Sequence, residues 1–298
     1  MSLISMTELL GRALAGGYAV GYFEAWDMYS LEAVLEAAES AHSPVIIGFG
    51  GVMLDQDWFD NRGLEHLGAL GRAAADSARV PVSLLLNEVF TLSQIRRGIQ
   101  CGFNTVMLMT ATLPFEENVN MTRQVVAMGA PAGVGVEAEL GHLPEVGPFF
   151  TKGGSTVTDP DEAGEFVRQT GVSALGVSVG NVHNLTQGKA KIDFQRIQAI
   201  RRTTQTPLVI HGGTGFPDEA VALAVDAGVA KINVGAILKR CFWDGMKSAL
   251  ATVPDGTDPH LAVGSRKHLD LMREGKQRVK DEVVRRIRVY GSENRALA

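Results

Sequence analysis

Acids, amides and histidines recur at one kind of place in this sequence, directly at or after short apolar runs. Glu24 closes the run Ala19 to Phe23, Asn87 and Glu88 follow Val82 to Leu86, and Glu137 and Glu139 end the run that begins at Gly133. Asn181 and His183 follow Ala174 to Val179, His211 ends the run from Pro207, and Asn233 sits inside Val229 to Val234. One histidine in such a position is usually structural. His183 and His211 together with several carboxylates point instead to a divalent-metal site, because two imidazoles and a carboxylate suit Zn²⁺, and also Mn²⁺ or Fe²⁺ where coordination positions stay open. The segment His211-Gly212-Gly213-Thr214-Gly215 precedes a helical stretch starting near Pro217, where backbone N–H groups can converge on an anion.

The elements that must position these residues follow a single pattern, an apolar run, a turn, then a longer stretch with apolar residues at helical spacing. Further runs lie at Pro44 to Gly48 and Thr105 to Met109, which makes eight. Helical stretches lie near Leu31 to Ala41, Gly63 to Ala78, Leu92 to Cys101, Phe115 to Met128, Asp161 to Gln169, Asp193 to Thr203, Pro217 to Ala227 and Ala236 to Ala251. Eight alternating units without a linker predict one closed (β/α)₈ TIM barrel over residues 1–298, since each parallel strand needs a crossover helix and closure removes the sheet edges. A doubly wound open sheet would want a glycine-rich fingerprint after the first strand, and Phe23-Glu24-Ala25-Trp26-Asp27 is not one. In a barrel the strand-end residues all meet at the carboxyl rim, where catalytic groups sit, and phosphate sites use the loops after strands seven and eight. Asp27 is expected to cap the helix near Ser30. Residues 258–298 form a C-terminal extension, with a helix predicted over His260 to Val289 that packs on the barrel or on a neighbouring subunit.

Composition narrows the partners. The 298 residues are 45% hydrophobic and 20% charged, enough to build a large core. No apolar run reaches the roughly 18 residues a membrane helix needs, and Met1 to Gly16 lacks a basic region followed by an apolar one, so a soluble cytoplasmic protein with no membrane partner is expected. A net charge of -5 argues against nucleic acid. The basic residues Lys276, Arg278, Lys280, Arg285, Arg286 and Arg288 alternate with Glu274, Asp281 and Glu282 and read as a solvated helix face. Cys101 and Cys241, each in an apolar helical setting, read as buried free thiols. A small-molecule ligand is the expectation that remains.

The chain resembles the class II, metal-dependent ketose-bisphosphate aldolases, the fructose- and tagatose-bisphosphate aldolase family. The resemblance runs nearly end to end and is carried by Ser43-Pro44-Val45-Ile46-Ile47, Ile95-Arg96-Arg97, Pro114 to Val119, Val136-Glu137-Ala138-Glu139-Leu140-Gly141, Gly180-Asn181-Val182-His183, Lys191-Ile192-Asp193-Phe194, His211 to Gly215 and Lys231-Ile232-Asn233-Val234. It implies a (β/α)₈ fold, a homodimer or homotetramer, and a catalytic divalent metal, usually zinc. It further implies that His183 and His211 bind the catalytic metal, that Glu139 holds a second, more buried metal position, and that Asn233 contacts substrate.

Several positions depart from the family pattern. An Asp-His pair ends its third strand, the Asp handling the proton of the substrate C4 hydroxyl and the His completing the metal site; here the pair is Asn87-Glu88. An asparagine can orient a hydroxyl but has no proton to exchange. Glu88 remains a metal-ligand type, and its charge favours harder ions such as Mn²⁺ or Mg²⁺. Glu24 stands where the family has Asn, and Met109-Thr110-Ala111 replaces its Asp-Gly-Ser. Asn184 replaces a phosphate-site Gly, and Gly235-Ala236 replaces residues that supply a hydroxyl donor. Backbone N–H groups of Gly212 to Gly215 remain as anion donors. Glu145, in His142 to Gly147, is the candidate for the mobile-loop carboxylate that moves a proton.

The expected activity is therefore a metal-dependent, reversible retro-aldol cleavage of a ketose, its (bis)phosphate or a related sugar through an enediolate. Metal would be held by Glu88, Glu139, His183 and His211, and catalysis carried by Asn87, Glu24 and Glu145. Substrate would be bound by Asn184, Gly212, Gly213, Thr214, Asn233, Gly235 and Ala236. A sugar epimerase or isomerase using the same intermediate, and an inactive aldolase-like subunit, are the alternatives.

Overall fold

The computed structural model describes residues 2–144 and 156–296. Eight parallel strands close into a barrel in chain order: β1 (Val20–Ala25), β2 (Val45–Gly50), β3 (Val82–Val89), β4 (Thr105–Leu108), β5 (Gly135–Leu140), β6 (Ala174–Val177), β7 (Leu208–Ile210) and β8 (Val229–Val234). The seam is the β1–β8 pairing, with Tyr22 opposite Asn233. The helices are α1 (Met6–Gly16), α2 (Met28–Ser40), α3 (Gln56–Trp58), α4 (Leu64–Ser77), α5 (Leu92–Gln100), α6 (Phe115–Gly129), α7 (Pro160–Thr170), α8 (Phe194–Thr203), α9 (Val221–Asp226), α10 (Ala236–Thr252), α11 (Pro259–Ala262) and α12 (Leu271–Val289). The predicted barrel is what the chain forms.

Alternation along each strand sorts side chains into two apolar layers. Phe23, Ile47, Leu84, Leu86 and Val136 face the helices and share their core. Tyr22, Ile46, Leu85, Met107 and Val209 face the barrel axis. The inner layer is sealed from below by α1, whose Met6, Leu9, Leu10 and Ala13 pack against it. This helix is absent from the sequence-based reading, yet its ends are marked. Ser5 accepts a hydrogen bond from the Glu8 N–H at 3.1 Å, and Gly17 closes the helix at φ 64°.

Two interruptions of the ladder aim polar residues at the site. Between β3 and β4, Leu86 pairs with Val106 and Val89 with Leu108, so β3 carries one extra residue. There Glu88 takes a φ of 52°, a left-handed conformation that a residue with a Cβ adopts at a cost of about 1 to 2 kcal/mol. In a regular pleat Asn87 and Glu88 would face opposite sides, and the bulge lets both border the barrel mouth. Between β7 and β8, Leu208 pairs with Val229 and Val209 with Lys231, leaving Ala230 as the extra residue and turning Lys231 inward with Asn233.

The C-terminal extension differs from the sequence expectation in two respects. The single helix predicted over His260 to Val289 is two, α11 and α12, because Gly264 at φ 70° and Arg266 at φ 59° break the helical path. In addition, Arg286 is buried rather than solvated. Helix α12 packs on α10 and α2 of its own barrel through Val279, Val283 and Ile287. Lys276 bonds Glu32 at 2.9 Å and Glu36 at 2.5 Å. Cys101 and Cys241 are free thiols, half-buried rather than buried as expected, and no described helix is long and apolar enough to cross a membrane.

Candidate active site

The strand ends meet in a cleft at the carboxyl mouth of the barrel. Its wall includes Glu24, Asn87, Glu88, His183, Asn184, His211, Gly212, Thr214, Asn233, Gly235 and Ala236, along with Tyr22 and Met109. Asp27, just past β1, does cap α2: its carboxylate accepts from the Ser30 N–H at 2.7 Å. Gly213 belongs to the loop without facing the cleft; a Cβ there would meet the Asn233 carbonyl oxygen at 2.6 Å. Gly212 is confined by its own backbone, with φ 69° and a virtual Cβ 2.2 Å from the Val182 carbonyl oxygen. Glu145 lies outside the described residues.

Glu88, His183 and His211 each offer a ligand atom, and these atoms lie within 4.8 Å of one another. The imidazoles of His183 and His211 stack with centroids 5.8 Å apart. His211 is fixed on both edges. Its Nδ1 lies 3.1 Å from Glu88 Oε1, and its Nε2 lies 2.9 Å from Glu137 Oε1. Both carboxylates accept only, so each ring nitrogen of His211 is a donor here, and an ion that takes Nδ1 in place of its proton would leave the Nε2 proton on Glu137. That is how an outer carboxylate orients a metal-binding histidine.

Beneath this cluster lies a buried polar network. Lys231 Nζ donates to Glu137 Oε2 at 2.6 Å and to Asn233 Oδ1 at 2.5 Å, and it sits 5.0 Å from the Tyr22 ring centroid. The Asn233 amide donates to Glu137 Oε1 at 3.3 Å. Burial opposes ionisation of Glu137, but Lys231 and His211 outweigh it and hold the carboxyl at about 2. Burial also opposes charge on His211, yet its hydrogen bonds to Glu137 and Glu88 win and push it up to about 10. Glu88 shifts down because its bond to His211 overcomes desolvation. Burial drives Glu139 the other way, raising its carboxyl. Its Oε1 is buried without a hydrogen-bond partner among the described residues, as is Oδ1 of Asn87.

The residues present fit a divalent ion. Two neutral-capable imidazoles and a carboxylate converge, one imidazole is oriented by an outer carboxylate, and a second buried carboxylate, Glu139, has an oxygen to spare. The three converging ligands are the ones read from strand ends; Glu139 stands beside them rather than in the triplet. Asn181 has a structural role, its amide donating to the His211 carbonyl at 3.0 Å and to the Val177 carbonyl at 3.1 Å.

Sequence reasoning missed three supporting cations. Lys231 was visible as a lysine inside an apolar strand, a position that demands a buried partner. Arg286 of α12 donates from Nη1 to the Gly213 carbonyl at 2.7 Å and bonds Glu282 at 2.8 Å, fastening the glycine loop from behind. Lys239 bonds Glu24 at 2.8 Å. Neither of these last two pairings carries a local signature.

Comparison with known proteins identifies the family. The family described as class II fructose-bisphosphate aldolase matches residues 4–295, so the chain belongs to that family of aldolase-type lyases. Among solved structures it is similar to the YdjI aldolase from Escherichia coli K12, at 30% identity and a TM-score of 0.81 over 99% of both chains. A putative fructose-1,6-bisphosphate aldolase from Coccidioides immitis, at 23% identity and TM-score 0.79 over 98% of both chains, shares the fold. So does the fructose-bisphosphate aldolase of Campylobacter jejuni, at 21% identity and TM-score 0.76 over 98% of this chain and 97% of that one.

Proposed function

We propose that this protein is a divalent-metal-dependent aldehyde-lyase that reversibly cleaves a carbon–carbon bond of a ketose or sugar phosphate. The observation that carries the reading is the convergence of Glu88, His183 and His211 at the barrel mouth. A divalent ion held by them, zinc in the first instance and Mn²⁺, Mg²⁺ or Fe²⁺ otherwise, would supply Lewis-acid stabilisation of the charge that develops on the substrate carbonyl oxygen. Glu139 is the ligand for a second, deeper position.

The chain's own residues do the rest. Asn87 presents an amide to the cleft and orients a substrate hydroxyl without exchanging its proton. Asn233, fixed by Lys231 and Glu137, offers its amide edge to substrate. Gly212 and Thr214, with Asn184, Gly235 and Ala236, form the binding wall, and Gly213 shapes the loop behind it. Proton transfer falls to Glu24 and Glu145. The active form is a homodimer or homotetramer in the cytoplasm.

Metal content of protein purified without added metal, measured beside Glu88→Ala and His211→Ala, tests the reading. About one equivalent in the parent, lost in both variants, is expected. Product analysis with ketose phosphates should then show cleavage. No metal in the parent, and none taken up from Zn²⁺ or Mn²⁺, overturns it; epimerised sugar without cleavage products would instead move the assignment to an epimerase.

A further inference from the structure

Glu24 is the one acidic side chain of β1, and three features hold its carboxylate at a defined place. Lys239 Nζ, one turn into α10, pairs with it at 2.8 Å and lies 5.7 Å from the Trp26 ring centroid. A Cβ on Gly50 would sit 2.9 Å from Glu24 Oε2, and one on Gly235 would sit 3.0 Å from the same atom. Gly50 is not required by its own backbone, which is extended at φ -88° and ψ 115°, whereas Gly235 at φ -134° and ψ -61° lies outside the main regions open to a residue with a Cβ. At Gly50 the carboxylate fills the space a methyl group would take, and at Gly235 it closes the same space from the other side.

That place is beside the start of α10. Gly235 precedes the helix without a side-chain cap, and the Ile237 N–H donates to Thr214 Oγ1 at 3.2 Å, joining the glycine loop to the helix start. Loop N–H groups, a helix N-terminus and Lys239 together form a positively polarised wall that would otherwise attract an anion. The protein has put its own anion there. A second anion would meet a fixed negative charge at close range in a partly desolvated cleft, whereas a hydroxyl can donate to the carboxylate.

We infer that Glu24, locked by Lys239, Gly50 and Gly235, makes this end of the cleft a subsite for the unphosphorylated, hydroxyl-bearing end of the substrate and excludes a phosphoryl group from it. The inference rests on the reading of the cleft as an aldolase substrate site and narrows the substrate class. Glu24 thus selects substrate by charge, in addition to any part in proton transfer.

Equilibrium dialysis with inorganic phosphate tests it on the unmutated protein, Glu24→Gln and Lys239→Gln. Glu24→Gln should bind phosphate roughly tenfold more tightly than the parent, and Lys239→Gln should bind it no better. A change below threefold in Glu24→Gln, or weaker binding, overturns the inference. So does submillimolar phosphate binding in the parent that Lys239→Gln abolishes, since phosphate would then displace Glu24 and take its cation. Because binding is read without turnover, a chain that shows this pattern yet holds no metal would sink the aldolase reading alone. One that cleaves ketoses but binds phosphate equally in parent and Glu24→Gln would sink the charge filter alone.

Discussion

Replacing Lys231 by Met keeps most of the side-chain volume while deleting the ammonium group of a buried network. Glu137 and Lys231 are both 0% exposed, and the ammonium donates to Glu137 at 2.6 Å and to Asn233 at 2.5 Å. Removing one member of a buried pair usually costs about 3 to 5 kcal/mol, because the partner is left charged and desolvated. Glu137 retains His211 at 2.9 Å, which places Lys231→Met at the lower end, about 3 kcal/mol. With an unfolding entropy of about 2.1 cal/mol/K per residue over 298 residues, that corresponds to a fall in Tm of about 5 °C. Neutralising the stranded carboxylate by Glu137→Gln in the same chain should recover at least half of the loss. Thermal unfolding of both variants and the parent is the measurement. A drop under about 1 °C for Lys231→Met, or a double variant no more stable than the single one, would refute the idea that the network is held by its charge balance.

Other perturbations probe separate links. Arg286→Met strips the Gly213 carbonyl and Glu282 of a buried donor, and a loss of about 3 kcal/mol in urea-unfolding stability should accompany at least a tenfold fall in kcat/KM for the ketose substrate as the loop loosens. Leu10→Ala hollows the plug beneath the barrel, and urea unfolding should report about 2 to 5 kcal/mol of destabilisation with metal content unchanged. Burial raises Glu282, but hydrogen bonds from Arg285 and Arg286 prevail and hold its carboxyl below the usual 4.5. The stability it contributes is therefore present above that value and lost as pH falls through and below it. Urea midpoints at pH 6 and pH 3.5 should differ less in Glu282→Gln than in the parent. Gly212→Ala, forced to φ 69° against the Val182 carbonyl oxygen, should lower Tm by several degrees.

The barrel was readable because parallel strands buried on both faces leave unbroken runs such as Pro44 to Gly48, and each helix carries apolar residues at its own period. The convergence of Glu88, His183 and His211 was readable for a related reason: strand ends collect at one rim, so residues far apart in the chain become neighbours once closure is assumed. What local pattern does not encode is a ladder slip. The extra residues at the ends of β3 and in β8 decide where Glu88 and Lys231 point, and nothing in Asn87-Glu88 or Ala230-Lys231 announces them. Arg286 and Lys239 were illegible for another reason, since on a helix surface a cation that reaches a buried carbonyl or a cleft carboxylate is spaced like one that reaches water. Helix α1 was missed although Ser5, Glu8 and Gly17 mark its ends, because it lies outside the eightfold repeat.

The position of α12 sets an order of events during synthesis. The carbonyl of Gly213 waits for Arg286, β1 waits for β8, and the N–H of Ala19 waits for the Tyr290 carbonyl. Each of these partners is translated after the first seven strands. At about 5 to 20 residues per second, the roughly 75 residues between His211 and Arg286 take about 4 to 15 s to make. For that interval the nascent chain owns every proposed metal ligand and no anchored loop. The glycine loop is thus the last part of the proposed site to be anchored, when the final helix docks.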